Sequence, residues 1–382
     1  MNRVETALRK EVRRVLVAQG YRIKKGQFYL DTDDREEKRH LHQLSRAERI
    51  RESIDFIESF LPEASKHILD SSSLEVSKIK PRLIEVQSGT REGNLFRWWN
   101  LTWWSLPYEK SYGRQMRFVV WDDYHESPIG LIGLQSPILS WSVRDKHLSI
   151  EPERRDYWVN QSLSAQRLGS LPPYNKFLGG KLVASLMTSD LVRKSFKNKY
   201  SKSKTLLLKR QLPANLLFIT TTGAYGKSSV YNRLKLYDEK ICDFIGYTSG
   251  SGSFHIPNTL YEGFISYLRE CGYKAGRAFG NGPSVKMKNI NKAMNLLGFK
   301  NGCEHGMKRA IYLFPFASNL KDVIEKEKRP TWYGRSVDDL TGYWKERWAC
   351  KRVWEYEKNF FSKQNYLDEL SEDLENCQNL VG

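Results

Sequence analysis

LSAQRLGSLPPYNKFLGGKLVASL, residues 163–186, is the stretch that decides the fold of the chain. It predicts an extended strand, then a Pro-Pro-Tyr turn, a Gly-Gly-Lys step and a helix. Proline cannot donate to a strand ladder, so the strand ends at Pro172 and Pro173. Gly179 and Gly180 let the backbone turn tightly, and the first N–H groups of the helix then face an anion. An ordinary strand-to-helix turn is the alternative interpretation of the same residues.

The composition describes a folded and strongly basic protein. With 382 residues, the chain is long enough to bury one large core or several smaller ones. A hydrophobic share of 40% and eleven tryptophans exclude disorder throughout. The formal net charge of +18 attracts polyanions. Nucleic acid, above all DNA, is therefore the first expected partner, and an anionic membrane is the second.

Localisation and metal content are inferred from what the sequence lacks. No apolar run approaches the roughly 18 residues that cross a bilayer. The N-terminus has no uninterrupted apolar block of the kind found in signal peptides. The five cysteines are an odd number at wide spacing, which is typical of reduced thiols in the cytosol, and with the seven histidines they form no zinc motif. We therefore expect a cytoplasmic protein that binds neither a membrane nor a metal.

Hydrophobic periodicity divides the chain into three regions, residues 1–95, 96–260 and 261–382. The first is predicted to be helical, with a short hairpin that turns at Gly26. The lysines and arginines of these helices fit a solvated face or, alternatively, a DNA-reading helix. The apolar residues at helical spacing are Val4, Leu8, Val12, Val15, Leu16, Leu44, Ile50, Ile54, Ile57, Phe60 and Leu61.

The second region, 96–260, has the shorter period of β-strands. Its order predicts an α+β core of hairpin, strand, helix, strand, helix and closing strand. The segments are the hairpin 114–137, the strand and helix within 163–200, the strand 214–222, the short helix 228–236 and the extended run 244–256.

This order resembles the acyl-CoA-dependent N-acetyltransferase (GNAT) fold. In that fold the turn after the fourth strand holds a pyrophosphate, and a tyrosine on a late helix often serves as general acid. The resemblance implies a catalytic role for Tyr231 and a cofactor-binding turn formed by Lys176, Gly179, Gly180 and Lys181. The family pattern Q/R-x-x-G-x-G/A is met only in part, because lysines stand at its first and last positions. The cofactor is therefore left unassigned.

Six segments carry a closer resemblance: WSLPYEKSYGRQMRFVVWD (104–122), IGLIGLQSP (129–137), VRD (143–145), LGSLPPYNKFLGGKLVA (168–184), TTTGAYGKSSVYNRL (220–234) and IGYTSGSGSFHI (245–256). In this order they look like the Druantia anti-phage protein DruA family. The N-terminal helices and TGYWKERW at 341–348 extend the resemblance over most of the chain. It implies a part in a multi-gene bacterial defence system, beside a large helicase-like protein, and supplies no chemistry.

Basic residues near these segments are predicted to bind nucleic acid, because arginine grips a phosphate with a planar fork. For several of them the alternative is pairing with nearby acids such as Asp122, Asp145 and Asp156. The assigned residues are Arg114, Arg117, Arg144, Lys227 and Arg233 in the core and Lys286, Lys288, Arg335 and Arg347 in the C-terminal region; Arg167 lies close to the same segments.

The residues that suggest catalysis also have structural interpretations. The acids expected nearest to a metal-dependent nuclease site are Glu109, Asp122, Asp123 and Asp145. Acids of a hairpin turn, such as Asp122 and Asp123, are more often solvated. His255 is a candidate general base and is otherwise a structural strand residue. The loop 220–229 offers N–H groups and a lysine to a phosphate but lacks P-loop spacing. The sequence leaves open whether the chain is an enzyme.

The third region, 261–382, mixes basic and aromatic residues, which suits stacking on unpaired bases. Its basic segment 274–299 suits contact with a nucleic-acid backbone. Trp344 and Trp348, four residues apart on a predicted helix, alternatively pack against the core. The acidic last twenty residues are predicted to shield a basic surface or to dock a partner.

Together these observations predict an α+β protein, with a GNAT-like mixed-sheet core, a helical N-terminal region and a mixed α/β C-terminal extension. The predicted function is anti-phage defence through nucleic-acid binding, beside a helicase-like partner. One alternative is a GNAT-type group-transfer enzyme that modifies a nucleic acid, a protein or a small amine. Another is a non-catalytic scaffold for the helicase.

Overall fold

The computed structural model describes residues 3–30, 34–40, 42–104, 106, 113–205, 209–273, 284–353 and 361–381. The first ten residues of the predicted basic segment, 274–283, lie outside this set. Among the described helices, none combines the length and the hydropathy that crossing a bilayer requires.

A mixed β-sheet of seven strands lies at the centre of the described residues. Its spatial order is β10-β11-β7-β6-β5-β4-β3, and all neighbours are antiparallel except the parallel pair β6 and β7. The strands are β3 (Pro81–Glu85), β4 (Gln115–Asp122), β5 (Ser127–Gln135), β6 (Ser162–Ser170), β7 (Phe218–Thr222), β10 (Asp243–Tyr247) and β11 (Ala310–Pro315). Two small hairpins pair β1 (Arg22–Lys24) with β2 (Gln27–Tyr29), and β8 (Lys235–Leu236) with β9 (Glu239–Lys240).

Helices surround this sheet. They are α1 (Arg3–Ala18), α2 (Arg35–His40), α3 (Gln43–Arg51), α4 (Ile54–Lys66), α5 (Arg91–Thr102), α6 (Ser142–His147), α7 (Arg155–Val159), α8 (Gly179–Leu186), α9 (Asp190–Tyr200), α10 (Asn258–Glu270), α11 (Val285–Leu296), α12 (Leu320–Lys326), α13 (Val337–Trp344) and α14 (Lys363–Val381).

Both faces of the sheet are buried. Successive strand residues point to opposite faces, so Phe118 and Val120 pack with α8, α9 and α13, whereas Val119 and Trp121 pack with α4, α5 and α14. Every residue of β5 is buried as a result. The arrangement is a sheet between two helical layers, the α8 face and the α5 face.

Several sequence predictions are confirmed. The α+β class is found, and the N-terminal region contains α1, α3 and α4 and a hairpin whose turn has Gly26 at φ 76°. The predicted hairpin 114–137 is β4 and β5.

The sheet takes strands from all three predicted regions, because β3 lies in 1–95 and β11 in 261–382. Helices α1, α10 and α11 also share one apolar cluster.

Two local predictions are wrong. Residues 228–236 form turns and the short strand β8 instead of a helix, with Arg233 at φ 59°. A residue with positive φ interrupts a right-handed helix. The extended run 244–256 ends as a strand at Tyr247, which leaves His255 in a turn.

Candidate functional site

The Gly-Gly-Lys turn is closely packed. Gly179 is buried, and a Cβ atom there would lie 2.6 Å from the carbonyl oxygen of Tyr174. A Cβ atom at Gly180 would lie 3.3 Å from a methyl group of Val230. The positive φ of the turn, 57°, belongs to Leu178. The two glycines therefore allow Tyr174 and Val230 to pack closely against the turn. The residue with the left-handed backbone conformation is Leu178, which precedes them.

Lys181 uses its ammonium group inside the protein. Its Nζ donates hydrogen bonds to the carbonyl oxygens of Ser229 at 3.0 Å, Val230 at 2.9 Å and Asn232 at 2.8 Å. An ammonium has three N–H donors, so all three are engaged. Burial lowers the pKa of Lys181 to about 8. Residues 228–232 thus lie over the start of α8, where the sequence predicted an anion, and only Lys176 of the predicted turn is exposed.

The two residues predicted to be catalytic are buried. The ring of Tyr231 lies 4.8 Å from that of Tyr312 between centroids, and burial raises its pKa. His255 is 3% exposed, and its Nε2 lies 2.9 Å from the carbonyl oxygen of Gly302. Burial lowers the pKa of His255 to about 4, so the ring is neutral at physiological pH. Their internal contacts suit packing, and a catalytic role for either stays a prediction.

Three arginines predicted to contact nucleic acid have internal partners. Arg144 is fully buried and donates to Asp145 and to the carbonyl oxygens of Ile138 and Leu139. Arg335, 1% exposed, donates to Glu239 at 2.6 Å.

Arg114 donates to the carbonyl oxygen of Asn160 and lies over the ring of Tyr200. The guanidinium groups of Arg114, Arg144 and Arg335 already bind protein oxygens, which suits support of the fold, and nucleic-acid contact by these three arginines stays a prediction.

The described acids among those weighed for a nuclease site are also engaged, and Glu109 lies outside the described residues. Asp122 is fully buried and accepts hydrogen bonds from the Tyr174 hydroxyl and from the backbone N–H of Lys80. Asp123 pairs with Arg82. Within the described ranges, no group of three or more His, Cys, Asp or Glu side chains is arranged to hold a metal ion.

One edge strand of the sheet, β10, carries exposed aromatic side chains beside basic ones. On β10, Phe244 is 46% exposed and Tyr247 is 43% exposed, with their rings 5.2 Å apart between centroids. The Nζ of Lys227 lies 5.7 Å from the ring centroid of Phe244. Arg233 and Lys235 line an adjacent pocket of about 240 Å³. We call these five residues the β10 edge.

The cations of the β10 edge are open. No described carboxylate forms an ion pair with its lysines or its arginine, whereas Lys240 beside them pairs with Asp243 at 2.7 Å. The structure thus brings Lys227 and Arg233, both predicted to bind nucleic acid, to one surface.

The remaining predicted residues lie elsewhere. Lys286 and Lys288 are on α11, where the Nζ of Lys286 lies 3.4 Å from the side-chain oxygen of Asn258. Arg347 is exposed in the irregular helical turn after α13. Trp344 is 1% exposed and donates its indole N–H to the carbonyl oxygen of Leu178. The packing interpretation of Trp344 is therefore confirmed.

A second open basic site lies on the α5 face of the sheet. It is a pocket of about 370 Å³ whose lining includes Arg97, Arg117 and Arg167, and we call it the arginine pocket. Its lining contains no carboxylate. The sequence assigned only Arg117 of these three to a ligand. The pocket depends on strand register, a signal that a single sequence does not carry.

The fold and these two open surfaces define a basic α+β protein suited to phosphate-bearing ligands. The family model described as Druantia protein DruA matches residues 32–326. The chain is 36% identical over 345 residues to Druantia protein DruA of Escherichia coli (strain UMEA 4076-1), an alignment that covers 89% of this chain and 83% of that protein. The chain therefore belongs to the DruA family. No solved structure matches it.

Proposed function

We propose that this DruA-family protein acts in Druantia anti-phage defence by binding nucleic acid through the β10 edge. Family membership supports the role in defence. The net charge of +18 supports a polyanionic ligand. A helicase-like partner and a cytoplasmic location belong to the same proposal.

The observation that carries the proposal is the pair of exposed rings on β10. Phe244 and Tyr247 are adjacent, half-exposed and beside the open cation of Lys227. Aromatic side chains stack on unpaired bases with about 1–3 kcal/mol per base, while nearby lysines and arginines neutralise the backbone. Bases inside a duplex are already stacked, so this arrangement favours a single strand.

We also propose that the core is GNAT-like in topology. The Gly-Gly-Lys turn follows β6, which is the fourth strand of the sheet in chain order. Strand β6 pairs with β7 only over Ser162–Ala165 and then continues to Ser170 beside β5, so the parallel pair opens toward the turn. The chain's own residues 228–232 lie at the start of α8, where an acyl-CoA pyrophosphate would bind in that fold, and this argues against acyl transfer.

The test is the affinity of the full chain for single-stranded, duplex and forked DNA across a salt series. We expect a preference for forms with unpaired bases. The double variant Phe244→Ala/Tyr247→Ala should lose about tenfold or more in affinity for single strands. Lys227→Ala and Arg233→Ala should each reduce the slope of log affinity against log salt by about 0.7.

The matched control is Tyr29→Ala, which removes a 38% exposed ring from the N-terminal hairpin. It should leave DNA affinity unchanged. No binding near physiological salt, or equal binding by the double variant and the wild type, would reject the proposal. A thermal shift with an acyl-CoA would instead support the group-transfer alternative.

A further inference from the structure

The arginine pocket is built from one row of residues across three strands. Arg117 on β4 is directly opposite Gly133 on β5, and Gly133 is opposite Arg167 on β6. A Cβ atom at Gly133 would lie 2.9 Å from the side chain of Arg167 and 3.3 Å from the ring of Phe96. The missing side chain at position 133 therefore makes room for the aliphatic stem of Arg167 beside the ring of Phe96.

A β-bulge adds an amide to this row. The register between β5 and β6 shifts so that Gly133 pairs with Arg167 and Leu134 pairs with Ala165, which leaves Gln166 as the extra residue. Neighbouring strand residues normally point to opposite faces, but a bulge re-aims one of them. Gln166 and Arg167 accordingly both line the pocket.

The pocket presents one hydrogen-bond donor and one acceptor without described partners. The side chain of Arg167 donates from Nε to Oδ1 of Asn100 at 2.5 Å. Because arginine only donates, this contact fixes the orientation of the Asn100 amide and leaves its Nδ2 as the open donor. Asn100 is 4% exposed, and its Nδ2 and the Oε1 of Gln166 are buried without a described partner. Buried polar groups of this kind normally bind something.

Two arginines of the pocket, Arg97 and Arg117, are without a described acidic partner. Arg97 lies over the ring of Phe56 and Arg117 lies near the ring of Phe96, but neither forms an ion pair with a described carboxylate. Guanidinium groups in this state suit a phosphate, which they bind bidentately.

We propose that the arginine pocket binds a free mononucleotide, with the phosphate on Arg97 and Arg117 and the base edge on the amides of Asn100 and Gln166. One donor and one acceptor in the same pocket lining are the groups that bind the hydrogen-bonding edge of a nucleobase. The ring of Phe96 supplies an apolar wall. A volume of about 370 Å³ falls in the range of small-molecule sites and exceeds what one phosphate fills. The site is separate from the β10 edge, so the protein has one surface for a strand and one pocket for a small ligand.

The test is calorimetric titration of the full chain with each of the four 5′-ribonucleoside monophosphates, with inorganic phosphate and with a short single-stranded oligonucleotide. At least one mononucleotide should bind tenfold or more tightly than phosphate. Arg117→Gln should weaken that binding at least tenfold, because it removes a charge-assisted contact. Gln166→Leu should reduce the preference among the four bases by about fivefold or more.

Two controls separate this inference from the proposed function. Arg233→Gln at the β10 edge should leave mononucleotide affinity unchanged, while Arg117→Gln should leave single-strand affinity unchanged. Should Arg117→Gln fail to fold, Arg97→Gln replaces it, because Arg97 is exposed. Mononucleotides that bind no better than phosphate, binding that survives Arg117→Gln or Arg97→Gln, binding that is lost in Arg233→Gln, or binding of the oligonucleotide alone would each overturn the inference.

Discussion

Lys181 and Arg117 lie on opposite faces of the same sheet and differ in what their charged groups contact. The Lys181 ammonium, on the α8 face, donates to three backbone carbonyl oxygens. The Arg117 guanidinium, on the α5 face, lines a pocket with no carboxylate and with two buried amide atoms, Asn100 Nδ2 and Gln166 Oε1, that have no described partner. Both residues were predicted as ligand contacts. The difference teaches that a ligand site is marked by cations that have no partner within the protein. The density of cations along a sequence does not show which cations have such partners.

The same distinction separates the predicted arginines. Arg144 and Arg335 are buried against carboxylates and carbonyls, whereas Arg233 is exposed at the β10 edge. A buried cation with partners supports the fold, and removing it leaves its partners unsatisfied. An open cation is free to bind a ligand. Mutating a buried arginine with partners should therefore lower stability. Mutating an exposed arginine such as Arg233 should lower ligand affinity and leave stability almost unchanged.

The largest expected effect tests the buried side of this comparison. Arg144→Ala should lower the free energy of unfolding by about 3–5 kcal/mol, because it leaves Oδ1 of the buried Asp145 and two backbone carbonyl oxygens without the donor that Arg144 supplies. Chemical denaturation measures this loss. Lys146→Ala, an exposed position on the same short helix, is the control and should change stability by less than about 0.5 kcal/mol. A variant Arg144→Ala as stable as its control would break the comparison.

The sequence predicts well those helices and strands that depend on residues close together in the chain. Helices α1, α3 and α4, the β4–β5 hairpin and the strand at 163–170 follow from periodicity and from turn residues, which depend on neighbours along the chain. The helix predicted at 228–236 fails because its carbonyl oxygens bind Lys181, a residue about fifty positions earlier. Tertiary contacts overrode local propensity there.

The sites were predictable only in part for the same reason. Lys227 and Arg233 lie near each other in sequence, and the structure keeps them together at the β10 edge. The arginine pocket instead requires Arg117, Gly133 and Arg167 to share one row, which depends on strand order and on a bulge at Gln166. A one-residue change of register would send these side chains to the other face. Periodicity does not specify that register.

An intermediate effect is expected at Lys181. Lys181→Met should lower the free energy of unfolding by about 1–3 kcal/mol, because three carbonyl oxygens lose their donor. The pKa of Lys181 is about 8 in the folded protein, below the value of an unfolded chain. Between the folded and the unfolded pKa of Lys181, the unfolded state binds more protons than the folded state. The contribution of Lys181 to the free energy of unfolding therefore rises from about pH 8 toward about pH 10.

The deficit of Lys181→Met relative to wild type should therefore widen over that pH range. Urea denaturation of both proteins at several pH values measures it. The exposed Lys176→Met is the control and should stay within about 0.5 kcal/mol of wild type at neutral pH. A deficit that narrows as pH rises would contradict the burial of a charged ammonium at this position.

The smallest expected effect on stability sharpens the open side of the comparison. Arg117→Gln should change the free energy of unfolding by less than about 0.5 kcal/mol, since no described carboxylate depends on its guanidinium and glutamine keeps part of the aliphatic stem. A slight gain would agree with this expectation, because the variant removes one positive charge from a pocket whose lining has no carboxylate. If Arg117 had a purely structural role, its removal would instead destabilise the sheet, as is usual for a partly buried arginine. A loss comparable to that of Arg144→Ala would place Arg117 among the supports of the fold.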